Sequence, residues 1–357
     1  MDVAILGASG DCGREIAARL IESRLLAPTE RMQLVGRENG PSAQVLYGLV
    51  SDLADAHAEY VPDLDVALRP DEVVADVWVV SCGKTAPTGG QTLNRAALGS
   101  NNAPVFAEYA RALARNGQGT EIVVVVSNPV ELAVAIFAEA IGSKRVIGIG
   151  AYQDTLRFRR EIAADLGVRR QRIGGFMVGE HGANMVPVWS SVSVHGVEPA
   201  ETADVVRGLR KGTETVPFAE LYREMQGEIA ELVPRGEIAE AYRRLEVLPP
   251  DARALLKPYL THLSGAKTVG ATANVTVDVL QTILDGREML IAGQVMLQRG
   301  DFYDLTGPLG VPIIAGPSGV VDVVQIPLTN AEQANVAQAS QHVGAQVQAW
   351  MQEERSA

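Results

Sequence analysis

Short apolar runs recur through the first half of the chain, at residues 3–6, 32–35, 77–80, 122–126 and 146–149. Each is too brief for a helix stripe and reads as a strand buried on both faces of a sheet. Between them lie segments with helical spacing. Ile16, Ala17, Leu20 and Ile21 share one side after the first run, and further helices are predicted around 44–56, 95–114 and 131–140. Buried strands alternating with helices build an α/β fold, a doubly wound parallel sheet that takes ligands at the carboxyl ends of its strands.

Those strand ends carry the first candidate chemistry. Run 3–6 leads into Gly7-Ala8-Ser9-Gly10-Asp11-Cys12-Gly13 and then a helix. Glycines at 7, 10 and 13 permit a tight turn, close approach to a pyrophosphate and close helix packing, with the helix N-terminus facing the anion. The spacing G-x-x-G-x-x-G is one residue off the commonest pattern, but a strand precedes it and a helix follows. Residues 1–150 therefore read as a dinucleotide-binding (Rossmann) domain, with Gly7, Gly10, Asp11, Cys12 and Gly13 at the cofactor.

The second strand ends Leu34-Val35-Gly36-Arg37-Glu38-Asn39. A carboxylate at this point would accept the adenosine ribose hydroxyls and repel a 2′-phosphate. Gly36 stands there instead and Arg37 follows, so Arg37 is predicted to pair with the 2′-phosphate and NADP is favoured. NAD is the alternative, with Arg37 solvated and Glu38 on the ribose. After Val80 the polar, glycine-rich segment 81–92 enters a helix carrying Arg95 and Asn102. It suits a closing lid with Gly83 and Lys84 at its base; the alternative is a plain surface loop. After Val126, Asn128 presents an amide at a strand end while Pro129 starts the next helix.

The second half supplies a proton carrier. Asp154 and Arg157 lie three apart in a helical segment, so both project toward a common point. His181 follows the apolar run Phe176-Met177-Val178 in the glycine-bracketed turn Gly179-Glu180-His181-Gly182. A carboxylate, a guanidinium and an imidazole are the groups needed to orient a proton carrier, grip a carboxylate and move a proton. Alternatively they are a surface ion pair and a satisfied histidine.

Taken in order, Gly7-x-x-Gly10-x-x-Gly13, Arg95, Asn128-Pro129, Asp154-x-x-Arg157 and Gly179-Glu180-His181-Gly182 resemble the lactate/malate dehydrogenase family over nearly the whole chain. The tail from Gly310 to Gly316 and on through Leu328 looks like the family's last strands and turn, before a helix with Thr329 and Glu332 in a capping-box pattern. The resemblance implies a substrate/catalytic domain of α+β type over 151–357. It implies a 2-hydroxyacid dehydrogenase acting on a 2-oxo/2-hydroxy acid pair with NADP or NAD, and a homodimer or homotetramer. His181 would be the general acid/base, Asp154 its orienter, and Arg157 the grip on the substrate carboxylate. Arg95 would polarise the carbonyl, Asn128 would meet nicotinamide or substrate, and Thr268 would line the pocket. Gly83 and Asn102 join the implied cofactor contacts.

Two departures bear on substrate. Malate enzymes place a second arginine in the lid, and residues 84–94 contain none. Lys84 and Gln91 are the candidates to read the substrate's far end, so neither plain malate nor lactate is the expected substrate. The segment 200–262 is longer than the resemblance implies. Its stripes of Phe218, Leu221, Tyr222, Met225, Ile229, Leu232 and Val233, and of Ile238, Ala241, Tyr242 and Leu245, read as core, or else as a subunit interface or a cover over the site.

Composition narrows the classes. A net charge of -12 argues against nucleic-acid or anionic-membrane partners, which leaves a small-molecule substrate and copies of the same chain. Two cysteines, Cys12 and Cys82, exclude a disulfide framework, and an acid follows Met1 where a signal peptide needs basic residues, so the protein is expected to be cytoplasmic. His57, His195, His262 and His342 lack ligand spacing; they read as surface or satisfied residues and no metal is predicted. Two other classes stay in view. One is a nonenzymatic NAD(P)-binding sensor or scaffold on the same fold. The other is a nicotinamide-dependent glycosidase, disfavoured because Ser127 stands before Asn128 where that group needs a metal-binding cysteine.

Overall fold

In the computed structural model, residues 1–356 are described except 86–87, 90–94, 183 and 214–217, and except the side chains of Arg95 and Ala219. The first half forms β1 (Val3–Leu6), β2 (Arg31–Val35), β3 (Asp63–Ala67), β4 (Val77–Val80), β5 (Ile122–Val125) and β6 (Val146–Gly148). All pair in parallel, in the order β3-β2-β1-β4-β5-β6. The pleat sends alternate residues to opposite faces, so Val3 and Ile5 enter one core while Ala4 and Leu6 enter the other. That double burial is why these strands read as unbroken apolar runs. Strand β3 escaped prediction because it lies at the sheet edge, where Asp63-Leu64-Asp65-Val66 alternates acid with apolar residues.

Helices α1 (Asp11–Glu22), α2 (Ser42–Ala56), α3 (Arg95–Asn116), α4 (Val130–Ile141) and α5 (Gly150–Leu166) cross between or follow these strands. Helix α5 ends where Gly167 takes a left-handed conformation, φ 63°.

The second half contributes β7 (Ile173–Gly179), β8 (Met185–Val194), β9 (Met289–Leu297), β10 (Gly307–Gly316) and β11 (Gly319–Val323), with α6 (Pro199–Leu209), α7 (Phe218–Leu232), α8 (Ile238–Glu246), α9 (Pro250–Leu263), α10 (Val269–Leu284) and α11 (Asn330–Ser356). Strand β9 meets β6 at Gln294 and Gly148, and the sheet runs on through β10, β7 and β8. The tail is partly as anticipated: β10 and β11 are strands, whereas 325–328 is irregular chain leading to α11. The capping box at α11 forms, with the Thr329 N–H donating to Glu332 Oε2 at 2.8 Å and the Glu332 N–H to Thr329 Oγ1 at 3.3 Å.

The long segment behaves as core. Tyr222, Ile229 and Leu232 of α7 and Ala241 and Leu245 of α8 are buried, and both helices pack on α9, which packs on α5. Arg253 of α9 is 1% exposed and binds Glu161 at 2.9 Å and Asp165 at 2.6 Å, both on α5. Among the described residues no helix is long and apolar enough to cross a membrane.

Candidate active site

Three strand ends converge where the first half predicts a ligand. Gly7, at φ 82°, donates to the Val35 carbonyl at 2.9 Å, and a Cβ there would stand 2.7 Å from Cys82 Cα. A Cβ on Gly13 would lie 2.5 Å from the Gly7 carbonyl oxygen, so these two positions admit only glycine at this spacing. Ser81 Oγ donates to Leu6 O at 2.8 Å and Ser127 Oγ to Cys82 O at 2.6 Å, stitching the ends of β1, β4 and β5. Asn102 braces the next layer. Its Oδ1 accepts the Lys84 N–H at 2.7 Å, and its Nδ2 donates to the carbonyls of Lys84 and Asn128 at 3.0 and 2.7 Å.

These groups border a cavity of about 680 Å³. Of the residues chosen from sequence, Gly7, Gly10, Asp11, Cys12, Arg37, Gly83, Lys84, Asn128, His181 and Thr268 line it. Gly13, Asn102, Asp154 and Arg157 do not: Gly13 lies under the loop, Asn102 is fully buried behind the wall, where it holds other residues in place, and Asp154 and Arg157 stand behind His181. Arg95 is the first residue of α3, but its side chain and Gln91 lie outside the described residues. A second cavity, about 670 Å³ beside Trp189, Arg210 and Asp251, is lined by Phe218 and Leu221 of the α7 stripe and by Thr329 and Glu332 of the capping box, and contains none of the catalytic or binding residues chosen from sequence.

The imidazole is held from behind. His181 Nδ1 lies 2.8 Å from Asp154 Oδ2, while Asp154 Oδ1 accepts Arg157 Nη1 at 2.8 Å. The i, i+3 spacing on α5 thus brings carboxylate and guanidinium together as predicted. Asp154 is 0% exposed. Burial alone would push its carboxyl up, but the charges and hydrogen bonds of His181 and Arg157 outweigh that and hold it below the usual carboxylate range. Beneath the ring, a Cβ on Gly150 would come within 2.6 Å of His181 Cγ, so α5 begins in direct contact with the imidazole.

Sequence reasoning missed several groups. Glu131, 2% exposed on α4, accepts the His181 backbone N–H at 2.7 Å; Gln294 of β9 donates to the same oxygen at 3.3 Å and accepts the Ala151 N–H at 3.0 Å. A lone carboxylate in the apolar stretch Val-Glu-Leu-Ala-Val-Ala was the available signal. His262, read from sequence as a surface or satisfied residue, also stands at the cavity wall: the last turn of α9 brings it there, and its carbonyl accepts the Gly89 N–H at 3.3 Å. Lys267 and Thr272 line the same wall. Gln153 Nε2 donates to Thr272 Oγ1 at 3.1 Å, so both Thr268 and its neighbour one turn on belong to the site.

The cavity's charge opposes that of the chain. Among the described residues its wall carries Arg37, Lys84 and Lys267 against one carboxylate, Asp11, although the whole chain has a net charge of -12. Burial pushes the Cys82 thiol up to about 12 and raises Cys12 as well, so both remain protonated near neutrality and neither serves as a thiolate nucleophile. The glycine cradle, the start of α1, the volume and the surplus of cations fit a dinucleotide.

Fold and site together define an α/β protein with a Rossmann dinucleotide-binding domain joined to a second domain. Residues 1–148 match the family model described as lactate/malate dehydrogenase, NAD binding domain. The chain is 26% identical over 340 residues, 93% of each chain, to an L-2-hydroxycarboxylate dehydrogenase (NAD(P)(+)) of Methanocaldococcus jannaschii. It is 25% identical over 341 residues, again 93% of each, to a malate dehydrogenase of Methanococcus maripaludis. In fold it is similar to the lactate dehydrogenase of Cryptosporidium parvum, with TM-score 0.74, 21% identity and coverage of 98% and 97%. The malate dehydrogenase of Plasmodium falciparum gives TM-score 0.76 at 18% identity, covering 99% of both chains. Residues 1–148 thus match the NAD binding domain of the lactate/malate dehydrogenase family, and the chain as a whole is similar to dehydrogenases named for 2-hydroxycarboxylates and malate.

Proposed function

We propose that this protein is an NAD(P)-dependent 2-hydroxyacid dehydrogenase with His181 as general acid/base. The observation that carries the reading is His181, on the wall of a cationic cavity, with its Nδ1 on a fully buried carboxylate. The match of residues 1–148 to the NAD binding domain model and the activities named for the relatives support the reaction class. In this reading residues 1–150 hold the dinucleotide and residues 151–357 supply most of the substrate site.

Bound nicotinamide supplies or accepts the hydride. Asp154 keeps a proton on His181 Nδ1, so the proton exchanged with the substrate oxygen travels on Nε2. In the reducing direction that proton goes to the carbonyl oxygen, and the buried Asp154 charge stabilises the imidazolium that gives it. Arg157 spends one N–H on Asp154 and has other guanidinium donors for the substrate carboxylate. Arg95 polarises the carbonyl from the start of α3, Asn128 meets nicotinamide or substrate, and Thr268 closes the wall. Lys84, whose Nζ donates to Asn101 Oδ1 at 2.9 Å, would read the far end of the substrate, and with no arginine in residues 84–94 the reading keeps an acid other than plain malate or lactate.

NADP is the preferred cofactor in this reading. Arg37 and Ser42 both line the cavity, and a Cβ at position 36 would meet Leu46 Cδ1 at 2.6 Å, so the usual carboxylate position is filled by glycine. Self-association is supported by α2, which buries Leu46 and Leu53 but leaves Val45 and Tyr47 38% and 61% exposed. A monomer mass by light scattering would exclude it.

The deciding assay follows loss of nicotinamide absorbance with NADPH and NADH against a panel of 2-oxo acids. Turnover with one of them should fall roughly 10²- to 10⁴-fold in His181→Ala while cofactor binding persists. Silence across the panel with cofactor still bound would favour the sensor reading.

A further inference from the structure

We propose that Lys267 is a phosphate ligand of the cofactor held in reserve by Asp11, its ammonium exchanging the Asp11 carboxylate for the dinucleotide's pyrophosphate. The inference rests on the reading of this cavity as a dinucleotide site. Asp11 is the first residue of α1, on the glycine loop where the helix N-terminus would receive an anion. It is also the one carboxylate among the described residues of the wall. An acid there occupies the position that favours negative charge, and an arriving pyrophosphate meets its repulsion.

Lys267 answers that problem. It belongs to the turn between α9 and α10, a distant part of the sequence, and its Nζ lies 2.7 Å from Asp11 Oδ2. The turn is fixed by Gly265 N–H to His262 O at 3.1 Å and Ala266 N–H to Thr261 O at 3.1 Å, and α10 packs along α1, with Arg19 Nη1 donating to Asn274 Oδ1 at 3.4 Å. Lys267 is therefore held opposite the glycine loop by the backbone around it. Its side chain is 43% exposed and that of Asp11 61%, and an exposed pair adds little to stability, so opening it is cheap. Lys267 also holds the Asp11 carboxyl below its usual range, which keeps the partner charged at working pH. The lysine, with its flexible stem and point charge, can swing between the two anions without moving backbone.

A merely structural pair and a reserve ligand make opposite forecasts. If the pair only ties two segments together, breaking it from either side has the same sign. If Lys267 binds phosphate and Asp11 competes for it, the two substitutions act in opposite directions. Calorimetric titration of the full chain with NADPH and with NADH should show Lys267→Ala weakening both about tenfold. Lys267→Arg should restore most of that, and Asp11→Asn should tighten both several-fold. Unchanged affinity in Lys267→Ala, or weakening in both Lys267→Ala and Asp11→Asn, overturns the inference. Wild-type chain that binds neither dinucleotide overturns the cofactor reading itself, a different result from a wild type that binds and variants that do not differ.

Discussion

Replacing Asp154 by asparagine isolates its charge, because the side chain keeps its shape at a site with 0% exposure. The carboxylate accepts two hydrogen bonds of 2.8 Å, from His181 Nδ1 and Arg157 Nη1. Asparagine offers one acceptor oxygen and one donor nitrogen, so whichever way it turns, its amide nitrogen faces a group that donates to Asp154 in the wild type. Losing one charge-assisted bond and leaving Arg157 without its counter-charge costs about 2–5 kcal/mol. If the amide nitrogen faces His181, Nδ1 becomes an acceptor, and donating the Nε2 proton would leave an anionic ring. Turnover should then fall by about 10²- to 10⁴-fold. Cofactor affinity should hold, because Asp154 is not part of the cavity wall. Steady-state rates with the best 2-oxo acid, urea midpoints at neutral pH and dinucleotide titration test the three statements separately. Turnover within about threefold of wild type would refute the orienting role, since that is well under 1 kcal/mol of barrier.

Two further outcomes follow from the same residues. Arg37→Ala should weaken NADPH binding about tenfold or more while leaving NADH nearly unchanged, and equal losses would remove the 2′-phosphate assignment. The lowered carboxyl of Asp154 stabilises the fold fully above the ordinary carboxylate range, and that contribution is lost as pH falls through the folded-state value. The stability gap between wild type and Asp154→Asn should therefore narrow as pH drops from about 5 toward 3; a gap constant with pH would contradict it.

Much of this was legible wherever one local pattern had one physical cause. Strands β1, β4, β5 and β6 are buried on both faces, so their composition alone marked them, and the i, i+3 step from Asp154 to Arg157 on α5 needed only helix geometry. Glycines 7 and 13 were legible because a tight loop forbids a Cβ. What stayed hidden depends on distant partners. Glu131 and Gln294 meet at His181 from positions 163 apart in sequence. His262 reaches the wall because α9 ends there, and no spacing within 250–268 announces that. The Asp11–Lys267 pair joins residues 256 apart. Asn102 was legible as a polar residue at the right place, but whether it faces ligand or backbone is decided by how tightly the loop after β4 folds over it.

The long helical segment gives the site its rigidity from the outside. On α5, Asp154 and Glu161 are seven residues apart and so lie on one side of the helix, the first holding His181 and the second holding Arg253. Arg253 also reaches Asp165, and Lys257 of α9 adds its own bond to Glu161 at 2.8 Å. Apolar helix faces tolerate small slides, whereas a buried guanidinium between two fixed carboxylates tolerates almost none, because each misplaced bond leaves a charge without compensation. Helix α9 is thereby locked in register on the helix whose Asp154 holds His181. Its far end supplies the His262 carbonyl that holds Gly89, then the turn bearing Lys267 and Thr268. The helical segment 200–262 thus backs both the helix that carries Asp154 and the turn that closes the cavity wall, a structural part of the site more than a decoration on it.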